Sequence, residues 1–207
     1  MLAQPIIGSY AKPTFTPQTA YISPRLDMNP GYFDWLGAAT HVADRHSSAM
    51  HGNSFLLDTG YAGIDAENLY CRLDFMEKTS EWFAPDTRLV LSIESGPQSS
   101  SGHSRTFRLE AWMNGPGISN WIFVENGNSP PAPDGVPNGI LVRLRNEQNF
   151  ECRIPLQALN APHGALLRVR FSIWRDHLPV DALPQEGSIE VPVVSEGHLS
   201  ALAYAKP

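Results

Sequence analysis

The sequence has little cysteine, because only Cys71 and Cys152 occur in its 207 residues. Two cysteines are too few for a disulfide-built scaffold or for a zinc site made of thiolates. Each lies among the apolar positions of an alternating segment, where a free thiol packs as a small hydrophobic group. We therefore favour two buried free thiols over a disulfide, although the pattern alone would permit the bond.

Basic residues and long apolar runs are also scarce. Lys and Arg number 15 against 21 Asp and Glu, for a formal charge of -6. This balance argues against nucleic acid as a partner, because phosphate binding needs a concentrated basic surface. No run reaches the roughly 18 apolar residues of a membrane-spanning helix. The first residues lack the features of a signal peptide, so we expect a cytoplasmic protein without a membrane partner.

Helical periodicity is missing as well, since no segment longer than about ten residues keeps it. Instead, 18 prolines and 16 glycines separate short alternating segments, which is typical of strands joined by turns. The sequence therefore predicts an all-β fold, an antiparallel two-sheet β-sandwich of jelly-roll or immunoglobulin-like type with one or two short helices. The helix candidates are DWLGAA (34–39) and PLQAL (155–159).

Period-two alternation predicts the strands and the core. The strand segments are 68–76, 88–95, 105–113, 120–126, 140–146, 149–156, 166–176 and a short one at 188–193. Their apolar positions predict a core that contains Leu69, Cys71, Leu73, Leu91, Ile93, Phe107, Leu109, Cys152, Ile154, Val169, Phe171 and Ile173. Residues 1–20 are expected to form a linker or N-terminal arm, residues 21–195 the β-sandwich domain, and residues 196–207 a C-terminal tail.

The opposite positions of the strands carry charged side chains, such as Arg108 and Glu110 or Glu151 and Arg153. This pattern predicts exposed sheet faces on which ion pairs neutralise one another. Trp112 and Trp174 are the large aromatic residues among those charges. They either cover the aliphatic parts of arginine side chains or contact a ligand, and the sequence leaves both alternatives open.

Several short motifs lie between residues 21 and 75: Ile-x-Pro, an aspartate, Tyr-x-Asp-Trp-x-Gly-Ala, Ala-Met-His and Leu-Tyr-x-Arg-Leu-Asp. They are formed by Ile22, Pro24, Asp27, Tyr32, Asp34, Trp35, Gly37, Ala38, Ala49, Met50, His51, Leu69, Tyr70, Arg72, Leu73 and Asp74. With FECRIPLQALNAP (150–162) and PQEGSIEVPV (184–193), these motifs resemble the region that follows the catalytic part of bacterial glycoside hydrolase family 57 proteins. The similarity covers about residues 21–194, and Met28 stands where that family usually has glycine.

The resemblance implies a C-terminal accessory β-sandwich, similar in outline to carbohydrate-binding module family 9 and DOMON-like domains. The catalytic barrel of those enzymes lies outside this chain, so we expect no enzyme activity from the chain by itself. The expected partners are a polysaccharide or oligosaccharide, α-glucan foremost, and the catalytic domain of a glycoside hydrolase. The alternative is a structural or interaction domain that packs on a catalytic partner and has no sugar site.

Sugar recognition uses flat aromatic rings beside amide and charged groups. The segment from Trp112 to Trp121 offers both kinds of side chain close together. Trp121 shares its strand face with Phe123, however, and could belong to the core instead. Trp35 is expected to be a core anchor, as is Trp82 if its loop folds inward. The candidate carbohydrate-binding residues are Trp112, Asn114, Asn120, Trp121, Arg108, Glu110 and Trp174, with Trp112 foremost.

Metal ligands are sparse in the sequence. His41, His46 and His51 recur every five residues with Asp44 among them, a spacing that neither a strand nor one helix face unites. Zinc is therefore not expected, and no other cofactor is indicated. Calcium is the cation that loop carboxylates would suit, and the candidate ligands are Asp27, Asp34 and Asp65.

Overall fold

The structure is a computed structural model that describes residues 15–26, 33–43, 56–76, 83, 86–97, 104–114, 117–125, 138–145 and 148–204. In these ranges twelve strands are followed by one helix. They are β1 (Phe15–Thr16), β2 (Ala39–Val42), β3 (Leu57–Ile64), β4 (Asn68–Phe75), β5 (Arg88–Pro97), β6 (Arg105–Asn114), β7 (Gly117–Glu125), β8 (Leu141–Arg145), β9 (Asn149–Pro155), β10 (Ala165–Arg175), β11 (Leu178–Leu183), β12 (Ile189–Pro192) and α1 (Glu196–Tyr204).

The strands form two antiparallel sheets, which confirms the predicted all-β sandwich. Sheet A has the strand order β1, β2, β3, β4, β9, β8, and sheet B has the order β11, β10, β5, β6, β7. The short strand β12 pairs with β10 at residues 166–169, on the part of that edge that β11 leaves unpaired. The chain changes sheets between β4 and β5, between β7 and β8, and between β9 and β10.

Every strand segment predicted from alternation forms a strand, whereas β1, β2, β3 and β11 were not predicted. In β3 the sequence LDTGYAGI interrupts the apolar positions with glycine and alanine, which weakens the period-two signal. The two predicted helices are wrong, because residues 33–37 and 156–160 form turns. Such short segments fix too few hydrogen bonds to offset the cost of starting a helix.

The core lies between the sheets, and every residue predicted for it is buried. Cys71 and Cys152 are direct partners across β4 and β9, and both are free thiols. Burial raises the pKa of the Cys71 thiol, which keeps it protonated. Gly60 allows the sheets to approach closely, because a Cβ there would lie 3.1 Å from both Phe171 Cε2 and Ile189 Cδ1.

A second apolar cluster lies on the outer face of sheet A. It is made of Ile22, Leu26, Trp35, Ala38 and Tyr70, so the prediction of Trp35 as a core anchor is confirmed, while Trp82 lies outside the described residues. Residues 17–26 follow β1, and we call them the incoming segment. The buried amide of Gln18 holds this segment, because its Nε2 donates to the Ile64 carbonyl oxygen at 3.1 Å. This segment therefore covers sheet A from outside.

Replacing Phe171 with alanine should lower the free energy of unfolding by about 3 to 5 kcal/mol, since it leaves a cavity in a fully buried site. Urea denaturation would measure the change. Phe33→Ala is the matched control, because Phe33 is 71% exposed and its loss should cost less than about 0.5 kcal/mol. Equal losses in the two variants would contradict this packing.

Candidate functional site

The outer face of sheet B brings two tryptophans into one line across the strands. Directly paired residues of antiparallel strands point to the same side of the sheet. Trp112 on β6 pairs with Arg88 on β5, and Arg88 pairs in turn with Trp174 on β10. Asn120 on β7 extends the line beyond Trp112. We call Asn120, Trp112, Arg88 and Trp174 the aromatic row.

The aromatic row has a defined spacing. Neighbouring strands lie about 4.8 Å apart, so the Cα atoms of Trp112 and Trp174 are separated by about 10 Å. Both side chains are half-buried, with part of each surface open to solvent. Two partly exposed tryptophans therefore lie on the strands on either side of Arg88, on the outer face of sheet B.

A hollow of about 290 Å³ opens beside the aromatic row, and we call it the first hollow. It contains three of the candidates predicted from sequence, Arg108, Glu110 and Trp174. Trp112 does not line it but lies next to Arg88, which does. The complete lining is Arg88, Val90, Ser92, Arg108, Glu110, Ser172, Trp174 and His177.

Glu110 lies at the floor of the first hollow between two arginines. Its Oε1 is 2.6 Å from Arg108 Nη2, and its Oε2 is 3.3 Å from Arg88 Nη1. Glu110 is only 5% exposed, so the expectation that this carboxylate is solvent-exposed is wrong. The two guanidinium groups cover it and supply the charge-assisted hydrogen bonds that compensate its burial.

His177 closes one side of the first hollow. Its Nδ1 lies 3.2 Å from Arg88 Nη2. Asp176 and His177 form the two-residue turn between β10 and β11, with φ angles of 49° and 64°. Positive φ at both positions is the geometry of a type I′ hairpin turn, for which asparagine and glycine are the usual residues. The Asp-His pair lacks that signal, which is why the sequence did not indicate this hairpin.

The indole of Trp174 is fixed by its own strand. Its Nε1 donates to Ser172 Oγ at 2.9 Å, and Ser172 Oγ donates to the Val90 carbonyl oxygen at 3.4 Å. The polar edge of the ring is therefore already hydrogen-bonded. What remains available to a ligand is the apolar surface of the ring.

Three other sequence candidates do not line the first hollow. Trp121 pairs with Ala111, faces sheet A and packs against the main core, so of its two alternatives the structure supports the core position. Asn114 is exposed at the end of β6. Asn120 remains in the aromatic row, although its Oδ1 accepts the backbone N–H of Trp121 at 2.8 Å.

Within the described ranges, no three His, Cys, Asp or Glu side chains come together as metal ligands would. Asp65 accepts the backbone N–H groups of Glu67 and Asn68 and the hydroxyl of Tyr70, and so shapes the turn between β3 and β4. Asp34 lies in the turn at 33–37. His41 lies on β2, where burial lowers its pKa. The other metal candidates lie outside the described residues: Asp27, Asp44, His46 and His51.

The outer face of sheet A carries a similar charged group at its centre. Glu151 is fully buried there, with Oε2 3.0 Å from Arg145 Nε and Oε1 3.7 Å from Arg72 Nη1. The prediction of an exposed Glu151 is wrong, because the incoming segment covers this face. Arg145 Nη2 donates to the Leu26 carbonyl oxygen of that segment at 3.1 Å.

Comparisons of the chain with protein families, with curated proteins and with solved structures found no match. Of the described residues, none belongs to a helix with the length and apolar character needed to cross a membrane. The geometry of the sheet B face is therefore the main evidence on function.

Two tyrosines on the outer face of sheet A, Tyr61 and Tyr70, should lose their protons at higher pH than exposed tyrosines do. Burial raises the pKa of Tyr61 and of Tyr70 to about 12, and the carboxylates of Asp74 and Asp65 add to the respective shifts. An unfolded chain loses these protons near pH 10, so the free energy of unfolding should fall as pH rises from about 10 to 12. Tyr61→Phe and Tyr70→Phe should each reduce that slope. Tyrosinate absorbance that rises in one step near pH 10 for all six tyrosines would contradict the assignment.

Proposed function

We propose that the chain is a non-catalytic accessory domain that binds a polysaccharide on the outer face of sheet B. The observation that carries the proposal is the aromatic row, in which Trp112 and Trp174 flank Arg88 at the edge of the first hollow. Pyranose rings have one apolar face that stacks on an indole, and polar edges that need hydrogen bonds. The row and the hollow supply both within one surface.

The spacing of the two indoles favours an extended chain of sugars over a single ring. A separation of about 10 Å is comparable to the length of a disaccharide. One sugar on each tryptophan would leave the linking region above Arg88. The Trp174 edge is tied to Ser172, so stacking rather than hydrogen bonding is the interaction it can offer.

The polar groups of the first hollow suit hydroxyl recognition. Arg108 is 45% exposed on its side chain and binds Glu110 through Nη2, which leaves other guanidinium N–H groups for a ligand. Hydrogen bonds from charged donors are about twice as strong as neutral ones. Because Glu110 and His177 hold Arg88 in place, its guanidinium group does not need to be ordered when a ligand binds.

The identity of the polysaccharide and of the protein partner comes from the resemblance of residues 21–194 to the region behind the catalytic part of glycoside hydrolase family 57 proteins. On that basis we propose an α-glucan or related polysaccharide as the ligand, and a glycoside hydrolase catalytic domain as the associated unit. The all-β sandwich seen here agrees with the fold that the resemblance implies.

A second candidate function uses the same surface. Tryptophan and arginine are also the residues that dominate protein interfaces, and half-buried examples lie in one row here. The chain would then pack on a catalytic partner through sheet B without a sugar site. Polysaccharide binding by the isolated chain distinguishes the two functions, because an interface alone would show none.

Affinity electrophoresis in gels that contain starch, glycogen or β-glucan should retard the purified chain. Trp112→Ala and Trp174→Ala should each weaken retention about tenfold, since loss of one stacked ring costs on the order of 1 to 2 kcal/mol. Phe33→Ala is the matched control, an exposed aromatic residue away from sheet B. If both tryptophan variants kept full retention, the site would lie elsewhere on the molecule.

The isolated chain should not hydrolyse glycosidic bonds. Hydrolysis requires two carboxyl groups that face each other across the sugar, and Glu110 is instead held between two arginines. A chromogenic maltooligosaccharide incubated with the chain should release no more chromophore than a buffer blank. Turnover that persists in protein from a second expression host, and that disappears in a Glu110→Gln variant, would overturn this proposal.

A further inference from the structure

A second hollow of about 380 Å³ lies next to the first on the outer face of sheet B. We call the two hollows together the groove. Ser92 lines both hollows, so they meet at that residue on β5. From Arg88 to Glu94 the groove follows β5 for about 20 Å, at about 3.4 Å per residue. The second hollow is lined by Ser92, Glu94, Thr106, Arg168, Arg170, Gly187 and Ser188.

Two arginines flank Ser92 where the hollows meet. Arg108 on β6 and Arg170 on β10 are both direct partners of Ser92, so all three side chains point outward from sheet B. We call Arg108, Ser92 and Arg170 the arginine row. The Cα atoms of the two arginines are separated by about 10 Å, with the serine between them. Arg108 is bonded to Glu110 on one side of the serine, and Arg170 to backbone carbonyl oxygens on the other.

The charge of Arg170 is not neutralised by a carboxylate within the described part of the chain. Its Nε donates to the Pro184 carbonyl oxygen at 3.1 Å, and its Nη2 donates to the Gln185 carbonyl oxygen at 2.7 Å. Both acceptors are uncharged, so they hold the guanidinium group in place and leave its charge. A fixed cation at the centre of a groove is a ready site for an anion.

Arg108 adds to this positive charge. It shares the single carboxylate of Glu110 with Arg88, so two guanidinium groups face one acid. At the far end of the groove carboxylates outnumber guanidinium groups, because Arg168 pairs with both Glu94 and Glu190 at 3.3 Å. The excess positive charge is therefore concentrated at the arginine row, in a protein whose formal net charge is -6.

We infer that the polysaccharide bound by this groove carries an anionic group, a uronate carboxylate or a phosphate ester, which lies over Ser92 between Arg108 and Arg170. This inference rests on the proposed function and narrows the class of ligand. The guanidinium groups bind the anionic oxygens, the serine hydroxyl donates a further hydrogen bond, and the tryptophans hold neighbouring sugar rings. A neutral glucan would leave the excess charge at the arginine row unpaired.

The test compares retention of the folded chain in gels that contain glycogen, phosphorylated starch or polygalacturonate. We expect retention on an anionic gel to exceed that on glycogen, and to fall at 1 M salt, where screening acts over about 3 Å. Retention by polygalacturonate alone assigns a carboxylate, and retention by phosphorylated starch alone assigns a phosphate ester. Arg108→Gln and Arg170→Gln should each weaken it about tenfold.

The control variant is Arg143→Gln, which removes the same charge from an exposed position on sheet A. If Arg143→Gln weakens retention as much as the other two variants, the attraction is nonspecific and the inference is overturned. Equal retention on glycogen and on both anionic gels, unchanged in Arg108→Gln, also overturns it but leaves the proposed function intact. No retention on any gel rejects the proposed function itself. Arg108→Gln is decisive if Arg170→Gln fails to fold, because the Arg108 side chain is 45% exposed and Glu110 keeps its contact with Arg88 in that variant.

Discussion

Burial of the inward-facing apolar side chains of β4, β5, β9 and β10 holds the two sheets together and fixes which side chains face outward. Each buried leucine, isoleucine or phenylalanine contributes about 1.5 to 3 kcal/mol, and a shift of one residue in any strand would expose its whole set. Leu89, Leu91 and Ile93 on β5 are all buried. Their burial forces Arg88, Val90 and Ser92 to point outward, so the groove is a direct consequence of the core.

Both outer faces must compensate the charge of a buried carboxylate, and they differ in what covers it. On each, a glutamate is placed between two arginines: Glu151 between Arg145 and Arg72, and Glu110 between Arg88 and Arg108. Ion pairs of this kind contribute little net stability, because desolvation offsets much of the attraction. On sheet A the incoming segment covers the arrangement. On sheet B its arginines remain partly exposed, and it can take part in binding.

Much of the fold could be predicted from sequence, because period-two alternation is a local signal. It identified the buried positions of β4, β6 and β10, and it placed Trp112 and Trp174 on outward positions. β3 was not found, since Gly60, Ala62 and Gly63 leave little alternation to detect. The two glycines leave no room for a larger side chain, because Phe171 packs against Gly60 and Ile22 against Gly63, and that information lies elsewhere in the chain.

The candidate site was less predictable for the same reason. Arg108 and Glu110 lie on the same strand as Trp112, so the sequence brought them together, but Arg88 and His177 become neighbours only through the pairing of β5 with β10. The covering of Glu151 likewise depends on a segment far away in sequence. The sequence left open whether Trp121 belongs to the core or to a ligand site. Its pairing with Ala111 directs it inward, and the bulge between Trp112 and Met113 does not change that direction.

The pairing of β5 with β10 also determines when the groove can exist. These strands are separated by β6, β7, β8 and β9, and contacts over such sequence distances form late in folding. A growing chain on the ribosome presents β5 and β6 before β10 emerges, so the apolar faces of these two strands are exposed to solvent during that time. The arginines and glutamates on the outer side of β5 and β6 oppose association of this hairpin with other chains. The charges that line the groove of the finished protein would thus first act as protection against aggregation during synthesis.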